Sequence, residues 1–142
     1  MTNPANAVDA SADKADIAEV IVRYATGIDS RDWTLFRSCF TDDALCEYEG
    51  IDTWTSAEAI TAFMAAAHEA MGHTMHQLSN IAIATEGDTA SARAYVDGIL
   101  MAADGQTGLQ THGFYDDQLV RTRDGWRIAH RRFTMVRAAN LT

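Results

Sequence analysis

Two ionisable residues, Asp29 and His76, stand in segments whose other side chains are those of an apolar core. Asp29 ends an amphipathic helical pattern, and His76 lies near the start of a long strand-like run. Ionisable groups on core-facing positions cost free energy unless they are paired, so the two residues most economically satisfy each other. An aspartate that orients a histidine at the mouth of an apolar pocket makes a general base. We therefore predict the functional centre at this pair.

Three predicted helices precede the strand that carries His76. The first begins at Asp13, a plausible N-cap, and shows helical spacing of its apolar residues, which are Ile17, Val20, Ile21, Tyr24 and Ile28. A short second helix is predicted over about Asp32 to Phe40, followed by a short strand from Ala44 to Tyr48. The third starts at Thr55, which has capping-box spacing to Glu58, and stops at Gly72.

The chain after Gly72 has the pattern of antiparallel strands. Its long apolar runs are separated by acidic and glycine-containing breaks, typical of tight hairpin turns, at residues 86–88, 103–106 and 123–125. Helices followed by a run of strands predict an α+β fold. Long, strongly twisted strands curl, so three helices packed on the concave face of a curved antiparallel or mixed sheet would form a cone that encloses an apolar cavity.

The composition limits the class of protein. The chain has 142 residues, 47% of them hydrophobic, and a formal net charge of -9. We expect one domain over residues 13–142, preceded by a disordered tail over residues 1–12. The acidity argues against nucleic-acid partners and against anionic membranes, and no apolar run reaches the ~20 residues of a membrane span. Met1 to Ala12 lacks the features of a signal peptide, so we expect a reduced, cytoplasmic location.

Neither a metal nor an organic cofactor is expected. His68, His73 and His76 are close in sequence, but their spacing crosses the helix end at Gly72 and no clear carboxylate ligand accompanies them. We expect His68 and His73 at the surface. Glycine-rich phosphate loops and nucleophilic serine elbows are also absent from the sequence.

Two longer stretches carry a family likeness. The first runs from Arg23-Tyr24 through Asp32-Trp33 to Cys39–Ala44, and the second comprises Tyr115–Thr122 and Asp124–Arg131. Together with the order of helices and strands, they resemble the SnoaL-like family of the nuclear transport factor 2-like superfamily, over about residues 13–137. The resemblance implies a cone-shaped α+β barrel with an apolar cavity. It does not fix the reaction, because such proteins include dehydratases, isomerases, cyclases and non-catalytic binders.

The resemblance also suggests roles for four residues. Asp29 and His76 fall where scytalone dehydratase, bile-acid dehydratase and hexachlorocyclohexane dehydrochlorinase members carry an Asp–His dyad, in which the histidine removes a proton. Tyr24, five residues before Asp29, matches a tyrosine that would bind a substrate oxygen. His112 resembles the second histidine of scytalone dehydratase, a candidate acid for the departing group. Packing alone would also explain Tyr24, and His112 would also fit an ordinary strand position.

We expect further residues around the substrate. The candidates for binding it are Trp33, Tyr48, Phe63, Leu78, Val96, Phe114 and Arg132. Strict alternation along the last strand puts Trp126, Ile128 and Arg132 on one face and Arg131 on the other, but the sequence leaves open which arginine faces the cavity.

These residues predict a cofactor-independent lyase, of the dehydratase type, that acts on a small hydrophobic or polycyclic substrate. The alternatives are a non-catalytic binding or accessory protein, and an isomerase or aldol cyclase that uses the same pocket. A ketosteroid isomerase is disfavoured, since its carboxylate base would fall at about Tyr48, which cannot perform that role. We expect a homodimer or homotrimer.

Overall fold

The computed structural model describes residues 4–142. Its three helices and six strands follow one another as α1 (Pro4–Asp29), α2 (Trp33–Arg37), β1 (Phe40–Tyr48), β2 (Asp52–Trp54), α3 (Ala57–His68), β3 (Met71–Glu86), β4 (Thr89–Ala102), β5 (Gly108–Thr122) and β6 (Gly125–Leu141). Within the described residues no helix is both long and apolar enough to cross a membrane.

The strands form one open, six-stranded mixed sheet in the order β2-β1-β6-β5-β4-β3. All neighbours are antiparallel except β1 and β6, which are parallel. Three turns connect the consecutive strands β3, β4, β5 and β6. They lie at the three predicted breaks, where Gly87, Gly105 and Gly125 adopt positive φ angles. The predicted α+β class, with three helices ahead of a long meander, is confirmed.

Helix α1 begins earlier than predicted. Its apolar stripe is buried against the sheet as expected, with Ile17 and Ile28 almost fully buried. The helix starts at Pro4, so residues 4–12 do not form a structureless tail, while residues 1–3 lie outside the described part of the chain. Pro4 at the first helical position and four alanines among residues 5–12 favour this helix. Asp13 is therefore not a cap; its carboxylate binds Arg121, with 2.7 Å between Oδ2 and Nη2.

The other helix ends also differ in detail from the predictions. Asp32 caps α2 and accepts a hydrogen bond from the Leu35 amide. Ser56, not Thr55, caps α3 and accepts from the amide of Ala59 at 3.1 Å. The helix ends at His68 and Gly72 already belongs to β3, where a Cβ atom would lie 2.4 Å from the carbonyl oxygen of Ala102.

A β-bulge in β6 decides which arginine faces the helices. Gln118 pairs with His130 and Leu119 with Ile128, which leaves Ala129 as an extra residue. The extra residue reverses the alternation of the strand, so Ile128 and Arg131 are both buried on the inner face. Strict alternation, which groups Ile128 with Arg132, is therefore wrong from the bulge onward.

Candidate functional site

Asp29 and His76 are in direct contact at the boundary between α1 and β3. The Asp29 Oδ1 atom lies 2.7 Å from His76 Nδ1, and Oδ2 accepts a hydrogen bond of 2.8 Å from the backbone N–H of His76. Because a carboxylate only accepts, Nδ1 carries a proton in this contact. In the neutral ring Nε2 is then the unprotonated nitrogen, the form required of a general base. Both side chains are largely buried.

A second layer of hydrogen bonds holds the Asp29 carboxylate. Thr74 donates its hydroxyl to Asp29 Oδ1 at 3.0 Å, and Arg31 Nη1 donates to the Thr74 oxygen at 2.7 Å. The Arg31 guanidinium also donates to the carbonyl oxygens of Ile28 and Gly72. Arg31 has a left-handed backbone, with φ of 59°, which is strained for a residue with a side chain. The end of α1 and the start of β3 are thus tied together.

The environment keeps Asp29 charged. Burial alone would raise the pKa of Asp29, but hydrogen bonds from the ring and backbone of His76, the charge of its imidazole and the bond from Thr74 together lower that pKa below its ordinary value. The Arg31 guanidinium, through Thr74, belongs to the same network. An ionised Asp29 fixes the orientation of the His76 ring and favours the imidazolium that forms when the ring takes a proton.

His76 faces a cavity of about 250 Å³ between the helices and the sheet. Its wall is mainly apolar and includes Tyr24, Tyr48, Phe63 and Val96, four of the predicted site residues. The remaining wall residues are Ile28, Ile51, Met64, Ala67, His68, Met71, Leu100, Thr111, Tyr115, Phe133 and Met135. This volume lies near the lower end of ordinary ligand pockets, so it fits a small molecule.

Two tyrosine hydroxyl groups meet in this wall. The oxygens of Tyr24 and Tyr48 are 2.8 Å apart, and only one of the two O–H groups is used between them. Burial raises the pKa of both phenols well above the ordinary value, so both are protonated near neutral pH. The pair therefore retains one O–H for a ligand oxygen. The role of hydrogen-bond donor was predicted only for Tyr24, whereas Tyr48 was predicted as a binding residue.

A buried arginine, Arg131, stacks on the rings of two cavity tyrosines. The Arg131 guanidinium carbon lies 4.3 Å from the ring centre of Tyr24 and 3.8 Å from that of Tyr115. The same group makes two hydrogen bonds to Asp117, and both charged side chains are fully buried. Arg131, not the predicted Arg132, is thus the inner arginine, although it does not form part of the cavity wall.

Three predicted site residues lie on the opposite face of the sheet. Odd-numbered residues of β5, such as Tyr115, face the helices, so His112 and Phe114 face away from the cavity. His112 binds Asp97 there, and the Arg93 guanidinium covers the Phe114 ring. The bulge at Ala129 also leaves Arg132 on this outer face, with its side chain 61% exposed beside Glu47. The predicted site roles of these three residues are wrong.

Two further predicted binding residues are partly buried but do not line the cavity. Trp33 packs against Phe36 and His68 along an outer groove. Leu78 is partly buried against the core. Both positions were chosen because they are apolar, a property that does not distinguish the wall of a cavity from the filled core around it.

His68 is a wall residue that sequence reasoning placed at the surface. It is 5% exposed and follows Ile60 and Met64 at intervals of four residues along α3. That interval continues the buried stripe of the helix, and it is the signal that would have found His68. Among residues 4–142, no three histidine, cysteine or acidic side chains are grouped closely enough to hold a metal ion.

Comparisons with known proteins agree with this architecture. A model of the SnoaL-like domain matches residues 9–132. An uncharacterised protein of Mycobacterium tuberculosis is 34% identical over 130 residues, which cover 84% of this chain and 82% of that protein.

Solved structures show the same fold. A nuclear transport factor 2-like protein from Novosphingobium aromaticivorans has a TM-score of 0.82 and 26% identity, covering 96% of this chain and 90% of its own. A hexachlorocyclohexane dehydrochlorinase from Novosphingobium barchaimii has a TM-score of 0.84 and 19% identity, covering 95% and 94%. The chain therefore belongs to the SnoaL-like family of the nuclear transport factor 2-like superfamily.

Proposed function

We propose that the protein is a cofactor-independent lyase that removes water or a similar leaving group from a small apolar carbonyl compound. The contact that carries this proposal is the 2.7 Å hydrogen bond between Asp29 and His76 Nδ1, which leaves Nε2 unprotonated in a histidine that lines an apolar cavity. His76 is the base and Asp29 its orienting partner. The Tyr24–Tyr48 pair supplies the hydrogen bond to the carbonyl oxygen.

The proposed step needs only these groups. His76 Nε2 takes the proton from the carbon beside the carbonyl, and the electrons of that C–H bond pass toward the carbonyl oxygen. The free tyrosine O–H stabilises the negative charge that builds up there. The electrons then form the carbon–carbon double bond, while the C–O bond to the leaving hydroxyl breaks. The departing hydroxide takes a proton, which the His76 imidazolium supplies, and leaves as water.

Two observations support this reaction class and narrow the substrate. The fold is shared with a hexachlorocyclohexane dehydrochlorinase, whose name denotes an elimination. The cavity of about 250 Å³ favours molecules of one or two rings over the larger polycyclic compounds that were also expected. Isomerisation would begin with the same proton transfer, and it becomes the second candidate if exchange occurs without elimination.

The test follows two events separately. Nuclear magnetic resonance in D₂O measures proton exchange beside the carbonyl of cyclohexanone and of α-tetralone, and ultraviolet absorption follows the conversion of 3-hydroxycyclohexanone to its conjugated enone. We expect the wild type to accelerate exchange and elimination, and His76→Gln and Asp29→Asn to lose most of that acceleration. His73→Gln is the matched control, because His73 is an exposed histidine of the same strand.

Equal rates in the wild type and in His76→Gln would contradict the proposal. Binding of these ketones without exchange or elimination would favour a non-catalytic binding protein instead. Exchange without elimination would leave His76 as the base but replace the lyase by an isomerase. Circular dichroism of every variant is recorded beside the activity, so that each rate is assigned to folded protein.

A further inference from the structure

His68 is the histidine of the cavity wall that the proposed reaction does not use. It occupies the last turn of α3, where its side chain is packed beside Trp33 with 5.9 Å between the ring centres. Only 5% of the residue is exposed, and it lies between the outer groove beside Trp33 and the cavity that His76 also lines. A buried titratable group calls for a functional explanation, because an apolar side chain of similar size would fill the wall at a lower cost in folding free energy.

The protonation of His68 follows from its hydrogen bond. Nδ1 lies 2.8 Å from the carbonyl oxygen of Met64, and because a carbonyl only accepts, Nδ1 carries the proton. Burial lowers the pKa of His68, the bond to Met64 opposes this, and the nearby charges of Arg31 and His76 lower the pKa further. The ring is therefore neutral near neutral pH, and its Nε2 atom is unprotonated and carries a lone pair.

That lone pair has no partner. Nε2 is buried and receives no hydrogen bond from any residue that the structure describes. Buried acceptors are almost always satisfied, so an unsatisfied one in the wall of a ligand-sized cavity points to a donor brought by the ligand. Two other polar groups of the wall have different roles: the tyrosine pair offers a proton, and His76 binds Asp29 through Nδ1 and uses its Nε2 in the proposed proton transfer.

We propose that His68 is a specificity residue whose Nε2 accepts a hydrogen bond from a hydroxyl group of the substrate, so that the cavity selects apolar ring compounds bearing a free hydroxyl. This inference rests on the proposed function only in that it places the substrate in the same cavity. The carbonyl of such a substrate would meet the tyrosines, while the hydroxyl would meet His68.

A pair of probes of nearly equal shape tests this selection. 2-Naphthol and 2-methylnaphthalene differ in a hydroxyl against a methyl group, and their binding is followed by the methyl resonances of Met64 and Met71, which line the cavity. We expect the wild type to bind the naphthol about tenfold more tightly. We expect His68→Phe to remove this preference while keeping affinity for the hydrocarbon, and His73→Gln to leave both affinities unchanged.

A measurement on the wild type covers the case in which His68→Phe does not fold. Nitrogen-15 spectra of the histidine rings should show His68 protonated at Nδ1 alone, and its Nε2 resonance should move when 2-naphthol binds but not when 2-methylnaphthalene binds. A ring protonated at Nε2, or an unmoved resonance, overturns the proposal. So does a tenfold preference that survives in His68→Phe.

Failure of the catalytic proposal is distinguishable from failure of this one. Binding of the probes requires no chemistry, so His76→Gln should keep the preference for 2-naphthol while losing proton exchange. If the wild type shows the preference but no exchange, the recognition by His68 stands without the lyase. If it shows exchange but no preference, the catalytic role of His76 stands and the proposed role of His68 is wrong.

Discussion

At the scale of single residues, the site consists of polar groups whose partners define their protonation. Asp29 is ionised because two hydrogen bonds from His76, one from Thr74 and the charge of the His76 ring outweigh the effect of burial on its pKa. His68 is neutral because burial and a neighbouring guanidinium outweigh its one hydrogen bond. Two histidines of one cavity thus have different surroundings, the arrangement that separates a base from a recognition group.

The hydroxyl of Tyr48 should matter for the proposed reaction. Tyr48→Phe removes one of the two hydroxyl groups of the 2.8 Å contact with Tyr24, and with it either the donor to the carbonyl oxygen or the partner that holds this donor in place. Loss of one such donor typically lowers kcat by about 10²–10³. Steady-state elimination of 3-hydroxycyclohexanone measures this, and Tyr95→Phe on the outer face is the control, since Tyr95 is 45% exposed. Equal losses in both variants would contradict the role.

His68 should also make the stability of the protein depend on pH. Its pKa in the folded state is lowered from 6.5, so the unfolded chain binds the proton more readily than the folded protein. The free energy of unfolding should therefore fall as the pH drops below about 6.5, and recover above it. Urea denaturation at several pH values measures this, and His68→Gln should flatten that part of the profile. An unchanged profile in His68→Gln would contradict the assignment.

At the scale of elements, the site depends on how α1 ends against β3. Arg31 bridges them with hydrogen bonds to the carbonyl oxygens of Ile28 and Gly72 and to the Thr74 hydroxyl. Its strained backbone persists because these contacts hold it. The position of Asp29 relative to His76 is thus set by a joint between two elements rather than by either alone.

Removal of this joint should loosen the fold measurably. Arg31→Ala loses the charged hydrogen bonds that hold this joint, so we expect the free energy of unfolding to fall by about 1.5–3 kcal/mol. Arg37→Ala is the matched control, because Arg37 pairs with the exposed Asp42 and such pairs contribute less than about 1 kcal/mol. Chemical denaturation compares the two variants. A larger loss in Arg37→Ala would contradict the role of the joint.

The elements also show what the sequence could predict. The apolar stripe of α1 and the three glycine-containing turns are local patterns, and the structure has them where they were expected. The inner face of β6 was not predictable, because the extra residue Ala129 reverses the alternation without any mark in the sequence. The sequence therefore left the choice between Arg131 and Arg132 open, and the candidate Arg132 lies on the outer face.

The predicted site residues also divide into those found by a general rule and those whose position depends on the geometry of a strand or helix. Asp29 and His76 were found because charged groups in apolar segments need partners, a rule that holds wherever the chain places them. His112 and Phe114 were chosen from likeness and apolar character, although the parity of β5 turns them outward. His68 was overlooked because a histidine at a helix end is usually solvated.

At the scale of the whole molecule, a charged pair lies inside the sheet–helix core. Arg131 and Asp117 are cross-strand neighbours with bidentate hydrogen bonds, and the guanidinium stacks on two of the cavity tyrosines. Buried pairs add little net stability, but an unpaired buried charge is expensive. The core thus tolerates Arg131 only together with Asp117.

A comparison of two neighbouring carboxylates tests this. Asp117→Asn leaves the Arg131 charge buried without a counter-charge, and we expect the free energy of unfolding to fall by about 3–5 kcal/mol. Asp116 lies in the same strand as Asp117, and Asp116→Asn breaks only its exposed contact with Arg93 of β4, which should cost less than about 1 kcal/mol. Thermal and urea denaturation measure both. Similar losses would show that the buried pair has no special weight.

The bulge at Ala129 has a consequence for how such a gene can change over time. Deleting this single codon would restore even alternation, so either Trp126 and Ile128 or Arg131 and Phe133 would have to leave the interior. Point replacements at Ala129 keep the count of residues and should be tolerated far better than its loss. Homologues that descend from this chain can thus differ in the residue type at position 129 but not in the number of residues in this strand.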